Sequence, residues 1–128
     1  MLYLGRYLTS SLWGYLWGSI PFSFLIARLR AGIDLRKTGT LNVGATNVRL
    51  CLGKSWGLLA LILDILKGAI PVIVGLKLFG WPRLWVLVSG AFSVVGHIFP
   101  VWLRFRGGKG LATSVGVFAS LYPWQSLG

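Results

Sequence analysis

Two short segments hold most of the side chains that could do chemistry. In "KTGTLNVGATNVRL", residues 37–50, Thr40, Asn42, Thr46 and Asn47 offer polar side chains, and Gly39 and Gly44 leave backbone amides unobstructed. Arg36, Lys37 and Arg49 stand alongside. In "RFRGGKGLAT", residues 104–113, Gly107 and Gly108 permit close backbone approach and Lys109 supplies a point charge. Gly110 then opens onto a helix whose first amides point back at the loop. Clustered amides and cations make an anion cradle, and phosphate is its natural guest. Taken singly, the first segment reads equally as a hydrated connector with turn-forming Asn and Gly, and the second as a basic anchor with a flexible turn. The second segment lacks the G-x-x-x-x-G-K-[ST] spacing of a nucleotide-binding loop, so a phosphate monoester or acyl phosphate fits better than a nucleoside triphosphate.

Three further polar residues lie in apolar surroundings. Asp64 and Lys67, in "LDILKG", are three apart and share one helix face. At membrane depth such charges neutralise each other or face a polar cavity, and the pair reads as structural rather than as a catalytic acid. His97, in "VVGHIFP", reads as a hydrogen-bonded packing residue. No carboxylate follows it at the spacing of a His–Asp acyltransferase dyad. One His, one Cys and two Asp, widely separated, form no metal set, so neither metal nor cofactor is expected. Cys51, the only cysteine, excludes an internal disulfide.

The elements that must position these residues are apolar. The 128-residue chain is 55% hydrophobic and 12% charged, too little polar surface for a dispersed soluble domain. Residues 7–27 and 110–128 carry no charge, residues 84–103 carry none if His97 is neutral, and residues 55–80 carry only Asp64, Lys67 and Lys77. Each run is long enough to cross a hydrocarbon core of about 30 Å as a helix. The expectation is an all-α polytopic integral membrane protein of about four transmembrane helices, forming one domain over 1–128. No small-x-small site ends the first run, and Arg28 and Arg30 follow it, as in an uncleaved anchor.

The net charge is +11, with Asp34 and Asp64 opposing thirteen cations. In a soluble protein that would suggest nucleic acid, but there is no basic helix or zinc spacing, so no nucleic-acid partner is expected. The cations sort by loop instead. Residues 28–54 and 104–110 hold nine of them, whereas the opposite side would hold Arg6, Lys77 and Arg83. The positive-inside rule puts the N-terminus outside and both glycine-bearing loops in the cytoplasm, facing anionic lipid head groups.

Four stretches, "GSIPFSFLIAR", "LNVGATNVRLCLGK", "LDILKG" and "GHIFPVWLRFRGGKGLATS", occur together in order and spacing. In this the chain resembles the membrane acyl-phosphate:glycerol-3-phosphate acyltransferases of bacteria, from Gly18 to about Gly116. The resemblance implies transfer of a fatty acyl group from acyl phosphate to the first hydroxyl of glycerol 3-phosphate. The product is lysophosphatidic acid, made at the cytoplasmic face of the inner membrane without metal or cofactor. It further implies catalytic roles for Thr40, Asn42, Arg49 and Lys109. Substrate phosphate falls to Gly44, Thr46, Asn47, Gly107, Gly108, Lys109 and Gly110, with His97, Asp64 and Lys67 in support. Membrane lipids are the other implied partners; protein partners are not implied.

Departures from the family pattern accompany the matches. The family reads Gly-Ser-Gly-Asn where this chain has Gly39-Thr40-Leu41-Asn42, and Leu41 in place of a glycine is expected to close off positive φ and any near approach by a ligand. Arg49 falls one residue before the family's arginine, a turn of about 100° on a helix. The family also continues beyond residue 128 into a third motif with His, Asn and Glu, so the chain is expected to be incomplete at its C-terminus. These departures set a second reading beside the first: a non-catalytic relative that binds phosphate or anionic lipid.

Overall fold

The computed structural model describes residues 2–122. Among them every regular element is helical: α1 (Leu2–Gly18), α2 (Phe22–Ala31), α3 (Ala45–Leu52), α4 (Lys54–Lys77), α5 (Arg83–Ile98), a 3-10 turn (Val101–Leu103) and α6 (Leu111–Leu121). This is the all-α class expected. Two stretches, Lys54–Lys77 and Arg83–Leu103, are long and apolar enough to cross a membrane. The fourth expected run, 110–128, corresponds to α6, and its last residues lie outside the described ones.

The first expected span is not one helix. Residues 7–27 divide into α1, which ends at Gly18, and α2, which begins at Phe22. The cause is Pro21, which has no N–H to donate and whose ring crowds the preceding turn. The last regular bond of α1 runs from Ser19 N–H to Tyr15 O (2.8 Å), and Phe22 N–H turns back to Ile20 O (3.0 Å). Such a break survives in apolar surroundings when neighbours satisfy the freed backbone. Lys67 does this from α4, its Nζ donating to Ile20 O at 3.0 Å.

Small residues set the helix packing. Gly14 and Gly18 of α1 lie directly against the backbone carbonyls of Ser89 and Ser93 on α5. In return, a Cβ at Gly96 would come within 2.5 Å of Tyr15 O. The same device joins α4 to α6, where Gly68 faces Thr113 O and Gly116 faces Ile65 O. Close backbone approach of this kind is how helices associate where burying apolar area gains little. Larger side chains then fill two separate cores. Ala27, Leu35, Val48 and Ala60 hold α2, α3, α4 and the first loop together, and Val72, Val86 and Val117 join α4, α5 and α6.

Candidate active site

The first loop is built on one side chain. Asn47, fully buried in α3, donates through Nδ2 to Leu35 O (3.1 Å), Thr38 O (2.9 Å) and Asn42 O (2.9 Å). Its Oδ1 accepts from Thr40 N–H (3.0 Å). Its amide therefore shapes the loop rather than standing free for the phosphate expected from the sequence. Arg36 is likewise engaged. It pairs with Asp34 through Nε (3.0 Å) and a terminal nitrogen (2.9 Å), and stacks over Phe24 at 5.1 Å. The Arg36 hydrogen bonds hold the Asp34 carboxyl down at about 2, against a smaller opposing effect of burial.

Leu41 corrects a sequence expectation. A side chain was expected to close off positive φ there, yet Leu41 stands at φ 66°, closing a turn with its N–H on Thr38 O (3.1 Å). The loop keeps the backbone course that favours glycine, and the 62% exposed side chain points away from the core.

The second loop caps α5. Gly107 N–H donates to Ile98 O (2.9 Å) and Gly108 N–H to His97 O (3.2 Å), so these amides satisfy the end of a helix. Their glycine identity is a matter of space. A Cβ at Gly107 would fall on His97 O, and one at Gly108 would come within 2.5 Å of His97 Nε2 and 3.0 Å of Val43 O. Neither glycine therefore offers a free amide to a ligand, contrary to expectation; Gly107 lets the second loop close on the end of α5, and Gly108 lets it reach Val43 of the first loop. Gly110 takes φ 86° and starts α6.

Between the loops lies a cleft of about 530 Å³. Thr40, Asn42, Gly44, Thr46 and Asn47 line it from the first loop and α3, Lys109 and Gly110 from the second loop, and Asp64 and His97 from behind. Two helix N-termini open into it. The first turns of α3 (Ala45, Thr46) and α6 (Leu111, Ala112) form part of its wall, and no side chain caps either helix. Each presents amides without intrahelical partners and the positive end of a helix dipole. The amides of Leu111 and Ala112 are those the sequence placed at the start of a helix after Gly110, whereas Ala45 escaped sequence reasoning because an apolar side chain gives no sign that its amide faces a cleft.

Four expected site residues, Arg49, Lys67, Gly107 and Gly108, do not line the cleft. Arg49, exposed on the last turn of α3, has its backbone and Cβ against Gly57. Gly107 and Lys67 line a small void behind the cleft, together with Gly108, Asp64 and His97. Asp64 and Lys67 do face each other (3.4 Å), and Ser23 Oγ donates to Asp64 Oδ2 (3.3 Å). Ser23 carried no signal in the sequence beyond its place after Pro21. Among the described residues no three His, Cys, Asp or Glu side chains gather as a metal-holding group.

Residues 8–128 match the family described as glycerol-3-phosphate acyltransferase. The chain belongs to that family. Similar members include the glycerol-3-phosphate acyltransferases of Anaeromyxobacter dehalogenans (strain 2CP-1), 47% identical over 89% of this chain and 58% of theirs, and of Aquifex aeolicus (strain VF5), 50% identical over 91% and 60%. The fold is similar to crystal structures of PlsY (YgiH), an integral membrane glycerol 3-phosphate acyltransferase. The glycerol 3-phosphate form gives a TM-score of 0.84 at 45% identity, covering 94% of this chain and 60% of that one. The lysphosphatidic acid form gives 0.81 at 42%, covering 94% and 59%. The chain thus spans about three fifths of the length of the relatives it matches.

Proposed function

We propose that this chain takes part in transferring a fatty acyl group from acyl phosphate to the sn-1 hydroxyl of glycerol 3-phosphate, giving lysophosphatidic acid for phospholipid synthesis. The observation that carries the reading is the convergence of two uncapped helix N-termini and Lys109 on one cleft. Both substrates are phosphates, and such a cleft suits them. Thr40, Asn42 and Thr46 supply hydrogen-bonding side chains along one wall, and Lys109 a cation on the other. Amides aimed at developing negative charge stabilise an acyl-transfer transition state and a departing phosphate alike.

The apolar helix surfaces favour membrane insertion, with about four spans over one domain, the N-terminus outside and both loops at the cytoplasmic face of a bacterial inner membrane. An acyl tail then stays in lipid while its phosphate reaches the cleft.

The test is formation of lysophosphatidic acid by the purified chain in lipid, with acyl phosphate as donor. Product that requires both substrates supports the assignment. Binding of both substrates without product supports the second reading, a phosphate-binding relative without turnover, which the position of Arg49 outside the cleft favours. Binding of neither contradicts both.

A further inference from the structure

The connection from α5 to α6 is bonded more completely, and is less polar, than a loop bathed in water needs to be. From Leu103 to Gly108 every backbone N–H is bonded at 2.8–3.2 Å, to carbonyls within the turn (Pro100, Val101, Leu103) or at the end of α5 (His97, Ile98). Val101 N–H donates to Tyr15 Oη at 3.1 Å, and that hydroxyl donates to Phe99 O at 2.8 Å. Trp102 Nε1 donates to Ser19 Oγ at 3.2 Å, so α1 and the residue after it hold the turn at two places. Unpartnered amides are costly where water is scarce, and irregular backbone at the edge of a hydrocarbon layer avoids that cost by bonding internally. The side chains point to the same surroundings. Trp102 is 64% exposed, Phe105 58% and Phe99 52%, and none belongs to either core of the chain. The bond from Phe105 N–H to Pro100 O (2.8 Å) brings Phe105 back to the chain neighbour of Phe99. Arg104 and Phe105 are consecutive non-glycine residues in the left-handed region, φ 56° and 65°, strain that persists only where the surroundings hold it.

We propose that residues 99–106 are an anchor in the head-group layer of an anionic bilayer, with Phe99, Trp102 and Phe105 at the acyl-chain boundary and Arg104 and Arg106 on lipid phosphates. The two arginines flank Phe105 and are exposed. No carboxylate opposes them, because the chain has two acids, of which Asp34 pairs with Arg36 and Asp64 with Lys67. The apolar stretch Arg83–Leu103, long enough to cross a membrane, ends inside this turn. Aromatic rings favour that boundary, and arginines beside it attract anionic lipid. Lipid covers the rings that no core covers, its phosphates neutralise the arginines, and the internally bonded backbone tolerates the depth. The turn runs on into Lys109, which lines the cleft, so the anchor sets the cationic wall of the cleft at the level of the head groups. The proposal rests on membrane insertion of the chain and not on acyl transfer.

Trp102 gives the most direct test. In nanodiscs of mixed phosphatidylcholine and phosphatidylglycerol, its fluorescence is the difference between the unaltered chain and Trp102→Phe, which keeps a ring at that place. The expected result is strong quenching by lipids brominated high on the acyl chain and weak quenching by aqueous acrylamide. Quenching mainly by acrylamide overturns the anchor. A nitroxide at position 105, introduced by Phe105→Cys in a Cys51→Ala chain, reads depth without any subtraction. It is expected to be more accessible to oxygen than to a water-soluble nickel chelate, unlike a label introduced by Lys37→Cys in the exposed part of the first loop. Equal accessibility at the two positions also overturns the anchor. Head-group selectivity is read from the Trp102 signal with the bromines carried by one lipid or the other. Phosphatidylglycerol is expected to quench more strongly at equal fraction, and Arg104→Gln with Arg106→Gln to lower that preference roughly fivefold for each arginine removed. Equal quenching by the two lipids in the unaltered chain, or a preference unchanged in the double variant, removes the arginines from the lipid phosphates.

Discussion

Leu41 holds a backbone conformation that most side chains avoid, φ 66°, and does so between Thr40 and Asn42, which line the cleft. A left-handed L-residue costs roughly 1–2 kcal/mol, and glycine removes most of that strain. Leu41→Gly is therefore expected to stabilise the chain by about 1 kcal/mol, read as a rise in unfolding midpoint in detergent. An unchanged or lowered midpoint would show that the leucine side chain offsets its own strain. Asp34 gives a second prediction at this scale. Its folded-state pKa, lowered by Arg36 from 3.8 to about 2, means that its contribution is complete above about pH 4 and is lost as pH falls towards 2. Acid unfolding over that window is expected to become less steep in Asp34→Asn. The polar residues of the first loop were legible in sequence because they interrupt an apolar chain. Their division of labour was not, since nothing local distinguishes Asn47, sealed into the loop, from Asn42, which lines the cleft.

At the scale of elements, two glycine patterns look alike in sequence and do different work. Gly14 and Gly18 bring α1 onto the carbonyls of α5, whereas Gly107 and Gly108 bring the second loop onto His97 and Val43. Gly14→Ala would drive a methyl into the Ser89 carbonyl of a neighbouring helix, and backbone has little freedom to yield. A loss of about 1–3 kcal/mol in stability is expected, the usual range for overpacking, measured by thermal unfolding. A methyl at Gly108 meets the His97 ring and the Val43 carbonyl, so Gly108→Ala is expected to weaken ligand binding more than it lowers the unfolding midpoint. The sequence announced the long apolar elements through composition alone. It did not announce that residues 7–27 would break, although Pro21 was visible. Proline is tolerated within membrane helices, and the outcome here depended on a partner on another element, Lys67, reaching Ile20 O.

Across the whole molecule, the fold brings together segments separated by sixty residues. α1 and α5 pack backbone to backbone, α4 and α6 do the same, and the ends of these pairs carry the two loops to a common cleft. Asp64 and Lys67 lie behind the cleft as a buried pair, each almost fully enclosed. That arrangement matches the structural pairing read from their spacing and adds contacts to Ser23 and Ile20 that tie the α1–α2 break to the site. The anion cradle proposed from glycines and cations differs from its first form in which amides it would use. Its free amides belong to the first turns of α3 and α6, not to Gly107 and Gly108.

The central claim is that this cleft holds substrate phosphate with Lys109 as its principal side-chain cation. Calorimetric titration of glycerol 3-phosphate into the purified chain in lipid, beside Lys109→Ala, tests it most directly. A charge-assisted contact contributes about 1.5–3 kcal/mol, so the variant is expected to bind roughly tenfold to a hundredfold more weakly while unfolding at an unchanged midpoint. Equal affinity in the two proteins would contradict the claim and remove Lys109 from the phosphate site.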